Sequence, residues 1–237
     1  MAKALITWGG WDGHEPEKVA AIFAAMLRGE GADVTVTDTV ACFDDGAALQ
    51  TYDLIVPVWT MSELSREAAV NVSEAVARGT GIAGCHGGMC DAFRGNPLWQ
   101  FITGANWVAH PGGDGVKYRV RIADPGHELV TGIGDFDVAS EQYYLHVDPA
   151  NHVLATTTFP TVDWYHSPNG PVQMPVAWTR AWGHGRVYYN ALGHKANVIE
   201  AGAPYEMLRR GLTWAMAGKA AAAGKSLEAW ASPGNHW

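Results

Sequence analysis

The sequence predicts an α/β fold: a mainly parallel central sheet, with antiparallel strands added in the second half. Three observations carry this. Short apolar runs alternate with helical repeats through the first half, the pattern of strands joined by crossover helices. One of those runs, Asp53-Leu54-Ile55-Val56-Pro57-Val58, is almost wholly apolar, as a strand covered on both faces must be. In the second half strand-like segments follow one another with turns between them.

The elements can be justified in order. Ala4-Leu5-Ile6-Thr7-Trp8 is stopped by Gly9-Gly10. It reads as the first strand and is too short for a secretory leader. After a loop, Pro16 opens a helix, where its missing N–H costs nothing. Val19, Ile22, Phe23, Met26 and Leu27 form one apolar face, and Gly29 and Gly31 end it. Asp33–Thr37 is the second strand. The apolar run 53–58 is the third, and Pro57 is expected to end its ladder. Ser65 caps a helix over residues 66–78 that stops at Gly79. Gly81–Cys85 is a short fourth strand that runs into His86-Gly87-Gly88. Glycines there permit a strained turn that pushes a side chain out of the sheet edge, the shape of a nucleophile elbow. Further strands are expected over 118–122, 141–147, 153–158, 174–180 and 186–192, the last two joined by a hairpin at Trp182-Gly183-His184-Gly185. A helix over 205–217 buries Leu208, Leu212 and Ala215. Residues 1–218 then form one domain. Residues 219–237 form a tail that is expected either to dock on this or a neighbouring subunit or to fray.

Composition narrows the function. Hydrophobic residues are 48% and charged residues 17% of the chain, which excludes a disordered protein. The net charge is -8 and the 16 basic residues form no run, so neither a nucleic-acid groove nor a membrane surface is expected. No apolar stretch approaches the ~18–20 residues that span a bilayer. Three cysteines (Cys42, Cys85 and Cys90) make no disulfide framework, and a cytoplasmic location is expected. Eleven Trp and ten His are unusual counts. Trp faces stack on sugars, and His serves as ligand or acid/base. The Trp surplus and the prevalence of symmetric assemblies point to a homo-oligomer.

Open α/β sheets bind ligands beyond the carboxyl ends of their strands. That rule selects Trp11 and His14 after the first strand, Trp59 after the third, Cys85 and His86 after the fourth, and His194 after the last. Polar groups ringed by aromatics suit a sugar or small polyol. His110 lies in His110-Pro111-Gly112-Gly113, a loop able to close over the site. Glu141 is expected to begin a strand. It would be a general base, the holder of a histidine tautomer, or half of a surface pair with Arg119 or Arg121. His146, five residues on, would face the other way. Asp91 either caps the helix after His86 or joins the site. Cys85, with His194 as base, could form an amidase-type pair, although Ala83 takes the first glycine position of that elbow; the alternative is a buried apolar role. The histidines are widely spaced, so spacing gives no positive metal signal. His86, His110 and His194 are the candidate ligands if a divalent metal such as zinc is bound.

The segment Ala83-Gly84-Cys85-His86-Gly87-Gly88-Met89-Cys90-Asp91-Ala92-Phe93-Arg94, continued by Trp107-Val108-Ala109-His110-Pro111-Gly112-Gly113, resembles the ThuA-like (trehalose utilisation) family. Ser140-Glu141-Gln142-Tyr143-Tyr144, Met174-Pro175-Val176-Ala177-Trp178, Gly185-Arg186-Val187-Tyr188-Tyr189 and Leu192-Gly193-His194 extend the resemblance over residues 3–218. It implies a flavodoxin-like three-layer sandwich of the class I glutamine amidotransferase-like kind. It implies a role in catabolism of trehalose and related disaccharides, beside oxidoreductases that make 3-keto sugars. It carries His86, Asp91, His110, Glu141, Tyr143 and His194 as pocket residues and does not carry Cys85. The expected function is acid/base chemistry on a disaccharide or its 3-keto derivative. Glu141 or His86 would be the base, and His194 or His110 would polarise the carbonyl. Trp11, His14, Trp59, Asp91, Tyr143 and His146 would bind the sugar. Two alternatives stand beside it: a non-catalytic sugar-binding or regulatory partner of a sugar dehydrogenase, and a Cys85/His194 amidase-like hydrolase.

Overall fold

A computed structural model describes residues 1–228 and 230. The chain runs β1 (Lys3–Gly10), α1 (Pro16–Gly29), β2 (Asp33–Thr37), α2 (Gly46–Leu49), β3 (Leu54–Thr60), α3 (Arg66–Ala77), β4 (Gly81–Cys85) and α4 (His86–Cys90). It continues through α5 (Pro97–Thr103), β5 (Ala105–Ala109), β6 (Val116–Ile122), β7 (Phe136–Ser140), β8 (Tyr144–Val147), β9 (His152–Phe159), β10 (Val172–Trp182), β11 (Gly185–Asn190) and α6 (Gly202–Ala222).

One nine-stranded sheet has the order β2-β1-β3-β4-β11-β10-β9-β6-β7. Its first five strands are parallel. Their order, with β11 as the fifth strand, is the flavodoxin-like 2-1-3-4-5. The remaining four are antiparallel to their neighbours. The expected fold class is therefore the observed one. Helices α1 and α6 pack on each other and on the parallel strands, while α3 packs on α2, α5 and β10–β11. The inner parallel strands β3 and β4 are buried because they are covered, which is why they read as apolar runs, while the edge strand β2 stays largely exposed.

The local chemistry follows the sequence in most of the first half. Pro16 stands in the first turn of α1. The Ser65 hydroxyl accepts from the Ala68 N–H at 3.0 Å and starts α3. Pro57 acts as a strand terminator on one side only. The β3–β4 ladder stops at Ile55, but the β1–β3 register continues through Pro57 to Thr60. A proline can sit in a ladder wherever the absent N–H is not needed.

The second half departs more. Of the strand expected over 141–147 only β8, Tyr144–Val147, forms, and it pairs with β5 in a separate two-stranded sheet, whereas the preceding β7 belongs to the nine-stranded sheet. Glu141, Gln142 and Tyr143 lie in the break between them. Helix α5 and strands β5 and β7 were not foreseen. The signal for α5 was present: Asn96 caps it through a 3.0 Å bond from the Trp99 N–H, Pro97 follows, and Gly104 ends it. Helix α6 runs on to Ala222, through the boundary expected at 218. Beyond it the His184 ring bonds the Ser226 carbonyl at 2.9 Å and lies 4.6 Å from the Trp230 ring. The rest of the expected tail, residues 229 and 231–237, lies outside the described residues. No helix among the described residues is long and apolar enough to cross a membrane.

Candidate functional site

Four buried side chains converge where the parallel strands end: His14, His86, Glu141 and His194. His14 ends a short 3-10 turn after β1, and its Nδ1 is 2.9 Å from the Thr60 hydroxyl at the tip of β3. His86 is the first residue after β4 and adopts φ +48°, the left-handed region, where a side chain costs ~1–2 kcal/mol. This is the strained turn the sequence implied, and His86 itself is the residue it projects. His194 follows Gly193, whose φ of +114° and 2.8 Å clearance between a notional Cβ and Cys85 Sγ admit only glycine without adjustment. Glu141 arrives from the gap between β7 and β8. Its carbonyl accepts from the Tyr118 hydroxyl at 3.0 Å, and the next residue, Gln142, donates to the Thr157 hydroxyl at 2.8 Å.

The geometry is tight. Glu141 Oε2 lies 3.2 Å from His194 Nδ1, 3.4 Å from His86 Nε2 and 3.9 Å from His14 Nε2. One donor atom from each residue lies within 4.8 Å of all the others. The imidazole rings meet edge to face, with centroids 4.7 to 5.4 Å apart. The close N···O contacts lack hydrogen-bond alignment, so both nitrogens of His86, Nδ1 of His194 and Oε2 of Glu141 are buried without a hydrogen-bond partner. Each such group costs ~1–3 kcal/mol. A native protein that keeps four of them together is built to offer them to a ligand.

Burial lowers the pKa of His14 to about 2, helped by the imidazoles of His86 and His194. Burial likewise lowers His86 to about 4, against the pull of Glu141. Burial alone would raise Glu141, but the imidazoles of His194 and His86 outweigh it and hold the carboxyl well below the usual carboxylate range. At neutral pH the cluster therefore contains an ionised carboxylate and uncharged imidazoles at positions 14 and 86.

A rim surrounds this quartet. His110 Nε2 is 3.7 Å from the other carboxylate oxygen, Glu141 Oε1, and its side chain is 37% exposed. Tyr143 stacks on His86 with ring centroids 3.8 Å apart. Trp11 leans on His14 at 4.8 Å and on His194 at 6.4 Å, with its outer face in solvent. A groove of about 380 Å³ lined by Trp107, His110, Asp163 and Trp164 opens beside His110.

The structure thus brings together His14, His86, His110, Glu141, Tyr143, His194 and Trp11. Among the candidate metal ligands, His110 stands on the rim and His14 takes an inner place. Asp91 does not cap a helix start. It stands at the C-terminal end of α4 and pairs through both oxygens with Arg94, whose guanidinium lies 4.2 Å over the Trp107 ring. Burial raises the Asp91 pKa despite that partner. Glu141 is not in a surface pair with Arg119 or Arg121; Arg119 pairs with Asp135 and Asp137. The ring of Trp59 packs over Gly9. His146 is exposed on β8, opposite Asn106, and does not join the quartet, so the sugar-binding place expected for it is not part of this cluster. The Cys85 thiol is pushed up to about 12 by burial, and the two ring nitrogens of His194 face Glu141 and Asp114. That pair lacks a thiolate and a free base.

Sequence reasoning missed Thr60, Arg94, Trp107 and the Asp114–Lys195 pair, in which Asp114 Oδ2 lies 3.6 Å from His194 Nε2 and 2.7 Å from Lys195 Nζ. Thr60 was within reach of the strand-end rule that found Trp59. Trp107 lies on β5, a strand that was not expected, and Arg94, Asp114 and Lys195 lie on loops whose approach no local pattern encodes.

Comparison with known proteins extends this picture. Residues 3–215 match the family described as trehalose utilisation (ThuA). A ThuA-like protein from Bacteroides uniformis superposes with a TM-score of 0.73 at 16% identity, over 90% of this chain and 91% of that one. A ThuA-like protein from Parabacteroides merdae gives 0.69 at 20% identity, over 92% and 91%. A cytoplasmic protein from Salmonella typhimurium LT2 gives 0.61 at 13% identity, over 92% and 98%. At these identities the likeness is one of fold. No curated protein matches the sequence.

Proposed function

The chain belongs to the ThuA family of trehalose utilisation, and we propose that it acts on a disaccharide bearing a ketone by moving the proton next to that ketone. The observation that carries this reading is His110. It is a half-exposed imidazole held 3.7 Å from a buried carboxylate, at the mouth of a groove walled by Trp107 and Trp164. Indole faces suit sugar rings.

In a 3-keto sugar the C2–H bond is acidified by the carbonyl beside it. His110 takes that proton as general base, oriented by Glu141 Oε1. The electron pair of the C2–H bond passes to the carbonyl oxygen as the enolate forms. When the enolate collapses, C1=C2 forms, and the glycosidic C1–O bond breaks with its electron pair on the departing sugar oxygen. The imidazolium of His110 returns the proton to that oxygen. Glu141 is too enclosed to meet the substrate directly, so the exposed imidazole moves the proton. An oxidation must supply the ketone, so a sugar dehydrogenase is the fitting reaction partner.

The test is proton exchange. 3-Keto-disaccharides are incubated with the protein in D2O and the C2 proton is followed by NMR. Wild type is expected to wash it out, and His110→Ala to slow this by ~10²–10⁴-fold. Neither exchange nor turnover across a panel of keto-sugars, with sugar still bound, would leave a non-catalytic binding protein. Full exchange by His110→Ala would remove His110 as the base.

A further inference from the structure

We propose that His14 Nε2, His86 Nε2, His194 Nδ1 and Glu141 Oε2 together bind one divalent first-row transition-metal ion of the zinc type. Its part in catalysis rests on the reading above; its binding does not.

The spacing fits. A tetrahedral ion with ligand distances of ~2.0–2.1 Å has ligand-to-ligand edges of ~3.4 Å. The three edges from Glu141 Oε2 are 3.2, 3.4 and 3.9 Å. All separations in the cluster are within 4.8 Å, so the imidazoles would have to draw in by at most ~1.4 Å to reach that edge. The same atoms are the ones left without hydrogen bonds: Glu141 Oε2, His86 Nε2 and His194 Nδ1. A buried carboxylate surrounded by hydrogen-bonding imidazoles would align them as donors. Here the rings turn their nitrogens toward a common centre without that alignment.

The outer partners follow the pattern of metal sites. A ligating histidine usually offers its second nitrogen to an oxygen, which fixes tautomer and ring orientation. His14 Nδ1 meets the Thr60 hydroxyl at 2.9 Å, and His194 Nε2 faces Asp114 Oδ2 at 3.6 Å. His86 is held by other means, its backbone turn and the Tyr143 ring stacked on it.

The donor types select the ion. Calcium and magnesium prefer all-oxygen shells. Three imidazoles and one carboxylate suit zinc, cobalt, nickel or ferrous iron. The ion would also resolve an electrostatic conflict. A quartet whose ionised member is a carboxylate repels a developing enolate oxygen, whereas a dication reverses the sign and polarises the carbonyl.

The test needs no substrate. The full-length chain is stripped with a chelator, dialysed, and titrated with Zn2+ by calorimetry and with Co2+ by visible absorption. One ion per chain is expected, with the intense visible bands of a low-symmetry cobalt site. His86→Ala and Glu141→Gln should each weaken uptake by more than ~100-fold, and Thr60→Val by ~10-fold or more, with far-UV circular dichroism unchanged. His146→Ala should bind like wild type. A folded wild-type chain that takes up neither ion overturns the proposal, as does unaltered binding by both ligand variants and Thr60→Val. Uptake without sugar proton exchange upholds the site and defeats only the reaction proposed above. Exchange by a protein that binds no ion upholds that reaction and defeats the site.

Discussion

The parallel and antiparallel halves deliver the quartet in different ways. His14, His86 and His194 each follow the end of a parallel strand, where the doubly wound topology gathers loops at one edge. Glu141 comes from the antiparallel half, between strands of two separate sheets, and is tied down by the Tyr118 hydroxyl and the Gln142 anchor. The imidazoles are placed by backbone topology, whereas the carboxylate is placed by tertiary hydrogen bonds. Damage on the parallel side should therefore come from steric intrusion near the strand ends, and damage on the antiparallel side from loss of a tether.

The larger effect is expected on the parallel side. Gly87 follows His86, and a Cβ there would lie 2.7 Å from His14 Cε1 and 2.9 Å from Thr60 Cγ2. Gly87→Ala must push His14 off its bond to Thr60. Cobalt titration should show binding weakened by ~10–100-fold, as when the outer partner of a metal-bound histidine is lost. Wild-type affinity in Gly87→Ala would mean that His14 is not held by this packing. On the antiparallel side, Tyr118→Phe removes only the hydroxyl that holds the Glu141 carbonyl. Loss of one buried hydrogen bond costs ~1 kcal/mol, equivalent to ~5-fold in ion affinity if Glu141 swings freely. Urea unfolding should register the same ~1 kcal/mol. Unchanged ion binding with lowered stability would show that Gln142 alone fixes the carboxylate.

The same contrast explains what could be read from the sequence. His14, His86 and His194 follow from strand periodicity and the strand-end rule, and the strained turn at His86 from the glycines after it. The burial of Glu141 could not be read locally. A Ser-Glu-Gln-Tyr-Tyr segment looks like the start of a strand, and only the long-range contacts with Tyr118 and Thr157 break it there. His146 lies away from Glu141, as counting faces implied, and its exposed place on β8 keeps it out of the quartet. The exchange of His110 for His14 among the inner ligands depends on how far each loop reaches, and residue spacing carries no information about reach. The resemblance to a family supplied His86, His110, Glu141, Tyr143 and His194 but not His14, which came from the strand-end rule, and not the division into inner quartet and rim.

The smallest effect is expected where the halves are tied together from outside. Glu206 in α6 accepts from Arg209 at 2.9 and 2.8 Å and from Arg210 at 2.6 Å. Arg209 also reaches Glu30 beyond α1, in the parallel half, and Arg210 donates to the Thr131 carbonyl at 2.8 Å, between β6 and β7. Glu206 thus aligns two arginines that each hold one half. The hydrogen bonds from Arg209, and then Arg210, lower its pKa from 4.5 to about 2. Because the folded-state pKa lies below the unfolded one, the contribution is fully present above about 4.5 and is lost as pH falls through about 2. The network is partly solvated, so Glu206→Gln should cost only ~0.5–1 kcal/mol at pH 7 in urea unfolding. The gap between variant and wild type should narrow steadily below pH 4.5. A gap that does not change with pH would mean that the two arginines hold the halves without Glu206, and that the tie is their carbonyl and Glu30 contacts alone.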